Sequence, residues 1–304
     1  MEFQYDKEMG FEGECFRITF TPINACPLMY RQIWRKAHRS IAEVNFYTRN
    51  KISIVNLTGF KFKNYLVTDG YVKRISHYDY VEIRFVGRDG MTPAATKVMS
   101  RDEFERNLVV GLNEQLPNIV LINLQFDVFN QIPDLDMCEE CHTEIGEPVA
   151  VIGYQLNQDN LTIKQGIVSS FYQTDGARYL QVDATIRHGN AGSPVISLEK
   201  GKVIGLIGHK LTEVSQSYKR LKDIMNNNLQ LLKGYQGRYN MDDIDPVQVL
   251  IANQNQIKYI TKELYRITSM GVGYALPSSH IFNFFKENLI FESMDGSKNI
   301  LAGF

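Results

Sequence analysis

The sequence predicts a mainly β fold: two successive series of short antiparallel strands, the second interrupted by a helical hairpin. Three observations carry this. Short apolar runs punctuated by Gly, Asn and Asp fill residues 41–126 and resume from EPVAVIGYQ to GVGYALP, the pattern of an antiparallel barrel or sandwich. Within the second series, residues 211–268 switch to apolar residues at 3,4 spacing, the period of amphipathic helices. The 304 residues are 44% hydrophobic and 22% charged, with a formal net charge of −1. That is enough chain for a large buried core, and it excludes disordered and collagen-like classes.

The elements follow in order. ECFRITF (14–20) reads as a strand. Pro27 then opens a helix over 28–40, with Met29, Ile33, Trp34 and Ala37 on one face and Arg31, Arg35, Lys36 and Arg39 forming a solvated basic cluster. SIAEVNFYT, KISIVNLTGFKF, NYLVTD, DYVEIRFVG and NIVLINLQF make the first β series. EPVAVIGYQ, TIKQGIVSSFYQ, RYLQVDAT, GSPVISLEKGKVIGLIG and GVGYALP make the second, with a hairpin turn at Lys200-Gly201. Leu211, Val214, Tyr218, Leu221, Met225 and Leu232 align on one helix, and Leu250, Ile257, Ile260, Leu264 and Ile267 on the next, which starts at Asp245-Pro246. These stripes either pack on each other and the strands or form a partner-binding or dimerising arm.

Balanced charge, with Lys+Arg 33 against Asp+Glu 34, gives no field to attract nucleic acid or anionic lipid. No run is long and apolar enough for a spanning helix, and the N-terminus lacks the charge and hydrophobicity pattern of a secretory signal. Four cysteines are too few for a disulfide framework, so a reducing, cytoplasmic setting is expected. Cys138, Cys141 and His142 form a CxxCH pattern. It reads as free thiols, as part of a zinc site completed by Cys15 or Cys26, or as a haem attachment point. Free thiols, with no metal and no cofactor, are the expectation.

The chemistry-bearing stretch is VDATIRHGNAGSPVISLEKGKVIG, residues 182–205. Its Gly-Asn-X-Gly-Ser-Pro core ahead of an apolar strand resembles the nucleophile loop of trypsin-fold serine proteases, most closely the HtrA/Deg group. Five more stretches match that group in order: LTGFKFKNYLVTDGYV, PNIVLINLQ, GEPVAVIGYQ, TIKQGIVSS and GVGYALPSSHIFNFF. The resemblance covers about 41–130, 145–209 and 271–287. It implies a double antiparallel β-barrel, with 41–130 as the first barrel and 131–210 plus 269–290 as the second. Residues 1–40 form an N-terminal strand–helix extension, 211–268 the inserted hairpin and 291–304 a tail. The PDZ module usual in that group is not expected here, and its substrate-sensing role is not carried over.

The resemblance also assigns site positions. The oxyanion-hole loop is Gly189, Asn190, Ala191 and Gly192, where glycines let N–H groups converge beside the nucleophile. Thr185, Ile207 and His209 fall where the specificity pocket is lined. The nucleophile, general base and orienting acid map to Ala191, Tyr71 and Asn118. Alanine has no nucleophilic oxygen, a phenol with a pKa near ~10 is a poor base at neutral pH, and asparagine carries no charge to stabilise an imidazolium. A single Ser→Ala replacement would account for position 191 but not for 71 and 118. Of the histidines, His77, six residues past Tyr71, is the one a distorted loop could turn inward.

Two main readings result. One is a catalytically inactive homologue that binds a peptide or protein partner as a regulatory scaffold subunit, for instance in a bacterial stress or defence complex. Its docking residues would include Leu211, Val214, Tyr218, Leu221, Leu250, Ile257 and Leu264. The other is an active serine endopeptidase captured as a Ser-to-Ala variant at 191. A structural subunit with a vestigial cleft is a third.

Overall fold

In the computed structural model the described residues are 5–8, 15–18, 25–110, 119–156, 158–174, 177–208, 213–238, 245–268 and 272–294. Strands β1 (Tyr5–Glu8) and β2 (Cys15–Ile18) pair antiparallel as a separate ribbon. Helix α1 (Ala25–Ala37) follows and ends in a 3-10 turn, His38–Ser40. Its apolar residues Ile33 and Ala37 are buried, with Trp34 packed against the same cluster. Arg31, Arg35, Lys36 and Arg39 are exposed, so this basic row is a solvated face.

The first β series comprises β3 (Ile41–Tyr47), β4 (Ser53–Phe62), β5 (Tyr65–Asp69), β6 (Tyr80–Val86), β7 (Pro93–Ser100), β8 (Leu108–Val110) and β9 (Ile119–Asn123), with α2 (Arg101–Arg106) between β7 and β8. It forms an open seven-stranded antiparallel sheet in the order β7-β6-β3-β4-β5-β9-β8, a half-barrel where a closed barrel was expected. Ser100 ends β7 and its hydroxyl accepts from Glu103 N–H, capping α2 with Asp102 and Glu103 in the first turn. The chain therefore turns helical between β7 and β8, the two edge strands of the open sheet.

The second series closes. Strands β10 (Pro148–Gln155), β11 (Gln158–Thr174), β12 (Ala177–Ala184), β13 (Pro194–Ser197), β14 (Val203–Ile207) and β15 (Val272–Pro277) form a barrel ordered β10-β11-β12-β15-β14-β13. Gly201, at φ +63°, makes the β13–β14 turn at the expected place. Helices α3 (Glu213–Tyr235) and α4 (Pro246–Thr268) form the hairpin between β14 and β15. Those two strands pair directly, Ile207 opposite Ala275, so the insert projects without opening the barrel. Helix α5 (Ser278–Met294) places Phe285 edge-on against Phe62 and Tyr65, with ring centroids 5.3 and 5.8 Å away. One core cluster thus joins Phe60, Tyr65 and Val67 of the first sheet to Ile152, Tyr154 and Leu206 of the barrel.

Two features depart from the cysteine reading. Met137 bridges Val203, Cys138 N–H donates to Val203 O at 2.9 Å, and Cys138 and Cys141 are joined in a disulfide, Cα atoms 5.8 Å apart. The expectation of free thiols at these positions is corrected. Three positions apart in sequence, the two cysteines lie within bonding reach. The pairing also removes them from any zinc ligand set and weakens the cysteine count as an argument for a reducing compartment. Among the described residues no helix is long and apolar enough to cross a membrane.

An ion pair within the first sheet, across β3 and β6, reaches the barrel through its neighbour Asn56. Glu43, 3% exposed, accepts from Arg84 Nη2 at 2.6 Å and from Asn56 Nδ2 at 3.0 Å, and Asn56 Nδ2 also reaches Gln155 O. Removing one member of a buried pair leaves the other charge uncompensated. Glu43→Ala is expected to lower unfolding free energy by about 3–5 kcal/mol in urea denaturation, and a loss within 0.5 kcal/mol (roughly a surface-substitution value) would show that Arg84 is not left uncompensated.

Candidate functional site

The loop between β12 and β13 is shaped by one asparagine. Asn190 is fully buried; its Oδ1 accepts from Arg187 N–H at 2.8 Å and from the Lys164 ammonium, and its Nδ2 donates to Tyr154 O at 2.6 Å. On either side the backbone must enter the left-handed region. Gly189 has φ +95°, and a Cβ there would sit 2.7 Å from Leu156 N. Gly192 has φ +87°, and a Cβ there would meet Thr58 O at 1.8 Å. Only glycine fits either place.

Thr58 on β4 fastens this loop to the first sheet. Its N–H donates to Ala191 O at 2.9 Å and its hydroxyl to Gly189 O at 2.8 Å. The same hydroxyl accepts from Tyr154 N–H at 2.9 Å, and Thr58 O accepts from Thr68 Oγ1 at 2.7 Å. The loop's own amides are mostly committed: Asn190 N–H to Arg187 O, Gly192 N–H to Ile207 O and Ser193 N–H to Asn190 O. Between residues 189 and 193, the N–H groups of Gly189 and Ala191 are the two not engaged in this way. These are the two amides assigned to an oxyanion hole.

Where a nucleophile and base would meet, the site is apolar. Ala191 is 8% exposed and belongs to a cluster with Leu57, Val72 and Val120, against which Tyr71 packs. Tyr71 sits on the 3-10 turn Gly70–Arg74, capped by buried Asp69, whose Oδ1 accepts Tyr71 N–H at 2.8 Å. Asn118 and His209 lie outside the described residues. Of the other residues assigned to a pocket, Thr185 is exposed, whereas Ile207 is buried in the barrel core.

His77 does not turn inward: it is exposed at a left-handed turn position, φ +64°. His38 is buried and its Nδ1 lies 2.7 Å from Trp34 O, a satisfied structural ring. His188 and His142 are exposed, and His280 is half-buried with its pKa lowered by burial. Among the residues expected to dock a partner, Leu221, Leu250, Ile257 and Leu264 are exposed and Tyr218 is half-buried. Leu211 and the Val214 side chain lie outside the described residues.

Two residues of the site escaped sequence reasoning, Thr58 and Lys164. Thr-Gly inside the apolar run NLTGF was the available sign of a buried hydroxyl needing partners. Lys164 gave no sign, because its meeting with Asn190 depends on strand register. Its pKa is pushed down to about 8, first by burial and then by the nearby Arg187 charge.

Comparisons with known proteins find similarity to trypsin-like peptidases. Residues 64–206 match the model of the trypsin-like peptidase domain. Serine protease Do-like HtrA of Bacillus subtilis (strain 168) is 26% identical over 169 residues, covering 50% of this chain and 31% of that protein. Serine protease HTRA1A of Danio rerio is 34% identical over 107 residues, covering 33% and 22%. The chain thus spans less than a third of the length of the curated relatives it matches. Among solved structures, a serine endoprotease from Yersinia pestis is 19% identical with a TM-score of 0.44, covering 60% of this chain and 58% of that one.

Two outcomes follow from the geometry. Thr58→Val keeps the shape but strands Gly189 O and Tyr154 N–H, so urea denaturation should show a loss of about 2–4 kcal/mol, while Thr58→Ser stays near wild type. Lys164 binds its proton less readily folded than unfolded, so the unfolded chain carries more protons between about 8 and the ordinary 10.5. Its contribution to stability therefore rises as pH climbs through that window. The melting-temperature difference between wild type and Lys164→Met should shift toward wild type from about pH 7 to about pH 10; a flat difference would show that the lysine is not desolvated.

Proposed function

Starting from a trypsin-like peptidase domain over residues 64–206, homologous to the HtrA-like serine proteases, we propose that the chain is a catalytically inactive homologue acting as a protein-binding, regulatory subunit. One observation carries this reading. The loop that forms an oxyanion hole keeps its glycine geometry and two uncommitted amides, while the nucleophile position is an alanine in an apolar cluster with a tyrosine packed against it. Without a nucleophilic oxygen at 191 no acyl-enzyme forms. What remains is oxyanion-hole and binding stabilisation, roughly 10³–10⁴-fold over water. Such a site holds a carbonyl without cleaving it.

An extended segment of a partner would lie along the cleft edge, adding main-chain hydrogen bonds as a further strand. The projecting hairpin, with its exposed Leu250, Ile257 and Leu264, would be the docking arm. The preserved amides also keep open the reading of an endopeptidase whose serine stands replaced at 191, and a fluorophosphonate probe separates the two. Neither the wild-type chain nor Ala191→Ser should be labelled at residue 191, because position 71 offers no base. Rapid labelling of Ala191→Ser alone, at a rate typical of serine hydrolases, would overturn the proposal. As a control on the scaffold, Ala191→Ser combined with Tyr71→His and Asn118→Asp should label faster than the single variant.

A further inference from the structure

Helix α4 of the hairpin turns a largely polar row inward and an apolar row outward. Along α4 the row against α3 is Val247, Ile251, Gln254, Lys258 and Thr261, all buried or half-buried. Three of these are polar, and Lys258 Nζ donates to Asn226 of α3 at 2.7 Å. The next row round, Leu250, Asn253, Ile257, Ile260 and Leu264, is exposed, with its four aliphatic members 49–56% accessible. Its 3,4 spacing is that of the a and d positions in a coiled-coil seam, a pattern that specifies helix partners.

Helix α3 also carries an exposed apolar row, although its inward residues are apolar. Met225 and Leu229 are buried, while Leu221, Ile224, Leu231 and Tyr235 are 41–65% exposed. In both helices the exposed apolar residues stand one position before the inward ones: Ile224 before Met225, Leu250 before Ile251, Ile257 before Lys258. One residue is about 100° of helix rotation. Because the two helices run antiparallel, that shared offset brings both apolar rows to the same face of the hairpin. Neither row contains a charged residue.

We propose that this face binds a second copy of the same chain, the two hairpins packing face to face as an antiparallel four-helix bundle with a two-fold axis near Ile257. The inference rests on reading the hairpin as the docking arm and names its partner. Self-complementarity is the argument for that partner. An axis at Ile257 sets Leu250 opposite Leu264 of the partner subunit and Ile257 against its own counterpart. On α3 the same axis sets Ile224 opposite Leu231 of the partner subunit. An isologous interface needs such reciprocal pairing, and a row free of charge meets its copy without like-charge conflict.

The area suffices. Two 23-residue helices are each about 35 Å long, and side by side they present a face about 20 Å wide. That is on the order of 700 Å² per copy, close to the ~800 Å² per partner of a stable interface. The polar Asn253 in the row would fix register, as single polar residues do in coiled coils.

Sedimentation equilibrium of the full chain over about 1–100 µM tests this. Wild type should have the dimer mass. Ile257→Glu, which sets two carboxylates across the axis, should weaken association at least about 100-fold with unchanged far-UV circular dichroism and melting temperature. Mixing Ile257→Glu with Ile257→Lys should restore the dimer. A monomeric wild type throughout the range, or a dimer indifferent to Ile257→Glu, would overturn the inference. Either failure would leave the fluorophosphonate result untouched, so the loss of partner and the loss of catalysis are judged separately.

Discussion

Thr58 is the point on which the two halves of the molecule depend. It lies on β4 of the half-barrel, yet its amide and hydroxyl both donate to the loop before β13, and the hydroxyl accepts from β10 of the closed barrel. Its carbonyl is held in turn by Thr68 of β5. A fully buried residue with every polar atom engaged, its amide and hydroxyl across the junction, leaves the loop little freedom. Gly192 records the same constraint, since its φ and the closeness of Thr58 O allow no side chain. The loop's shape is thus set by the junction and not by any catalytic residue.

That independence separates the loop's shape from any chemistry a nucleophile would supply. In a working triad, the nucleophile, base and acid contribute to rate as a unit. Here none of the hydrogen bonds that curve residues 187–193 uses the side chain of position 191 or 71. The methyl group of Ala191 therefore carries no bond of the fold, and Tyr71 packs against the same apolar cluster.

Much of this was legible in the sequence because it is local. The glycine pattern of GNAGSP, the 3,4 spacing over 211–268 and the turn at Lys200-Gly201 each declare themselves within a few residues, and the elements lie where those signals put them. What was not legible depends on contacts between distant residues. Thr58 and Gly189 are 131 positions apart and Lys164 and Asn190 are 26 apart, so their meeting waits on strand register. The disulfide, by contrast, joins cysteines three positions apart, so its CxxC spacing was visible although its oxidation state was not. The open edge of the first sheet depends on which strands pair, β7 and β8 being left as edges, which no local signal announces. On the hairpin, periodicity gave the apolar stripe but not its direction, because Gln254, Lys258 and Thr261 form an equally periodic row and take the inward side.

The hairpin and the loop are also not mechanically separate. Strand β14 leads into α3, and its last residue, Ile207, accepts Gly192 N–H at 2.7 Å and donates its own N–H to Ser193 O at 2.8 Å. One residue further, Gly208 N–H is fixed to Tyr274 of β15, the strand that returns from α4. Both legs of the hairpin therefore stand on the two strands that brace the loop, paired at Ile207 and Ala275.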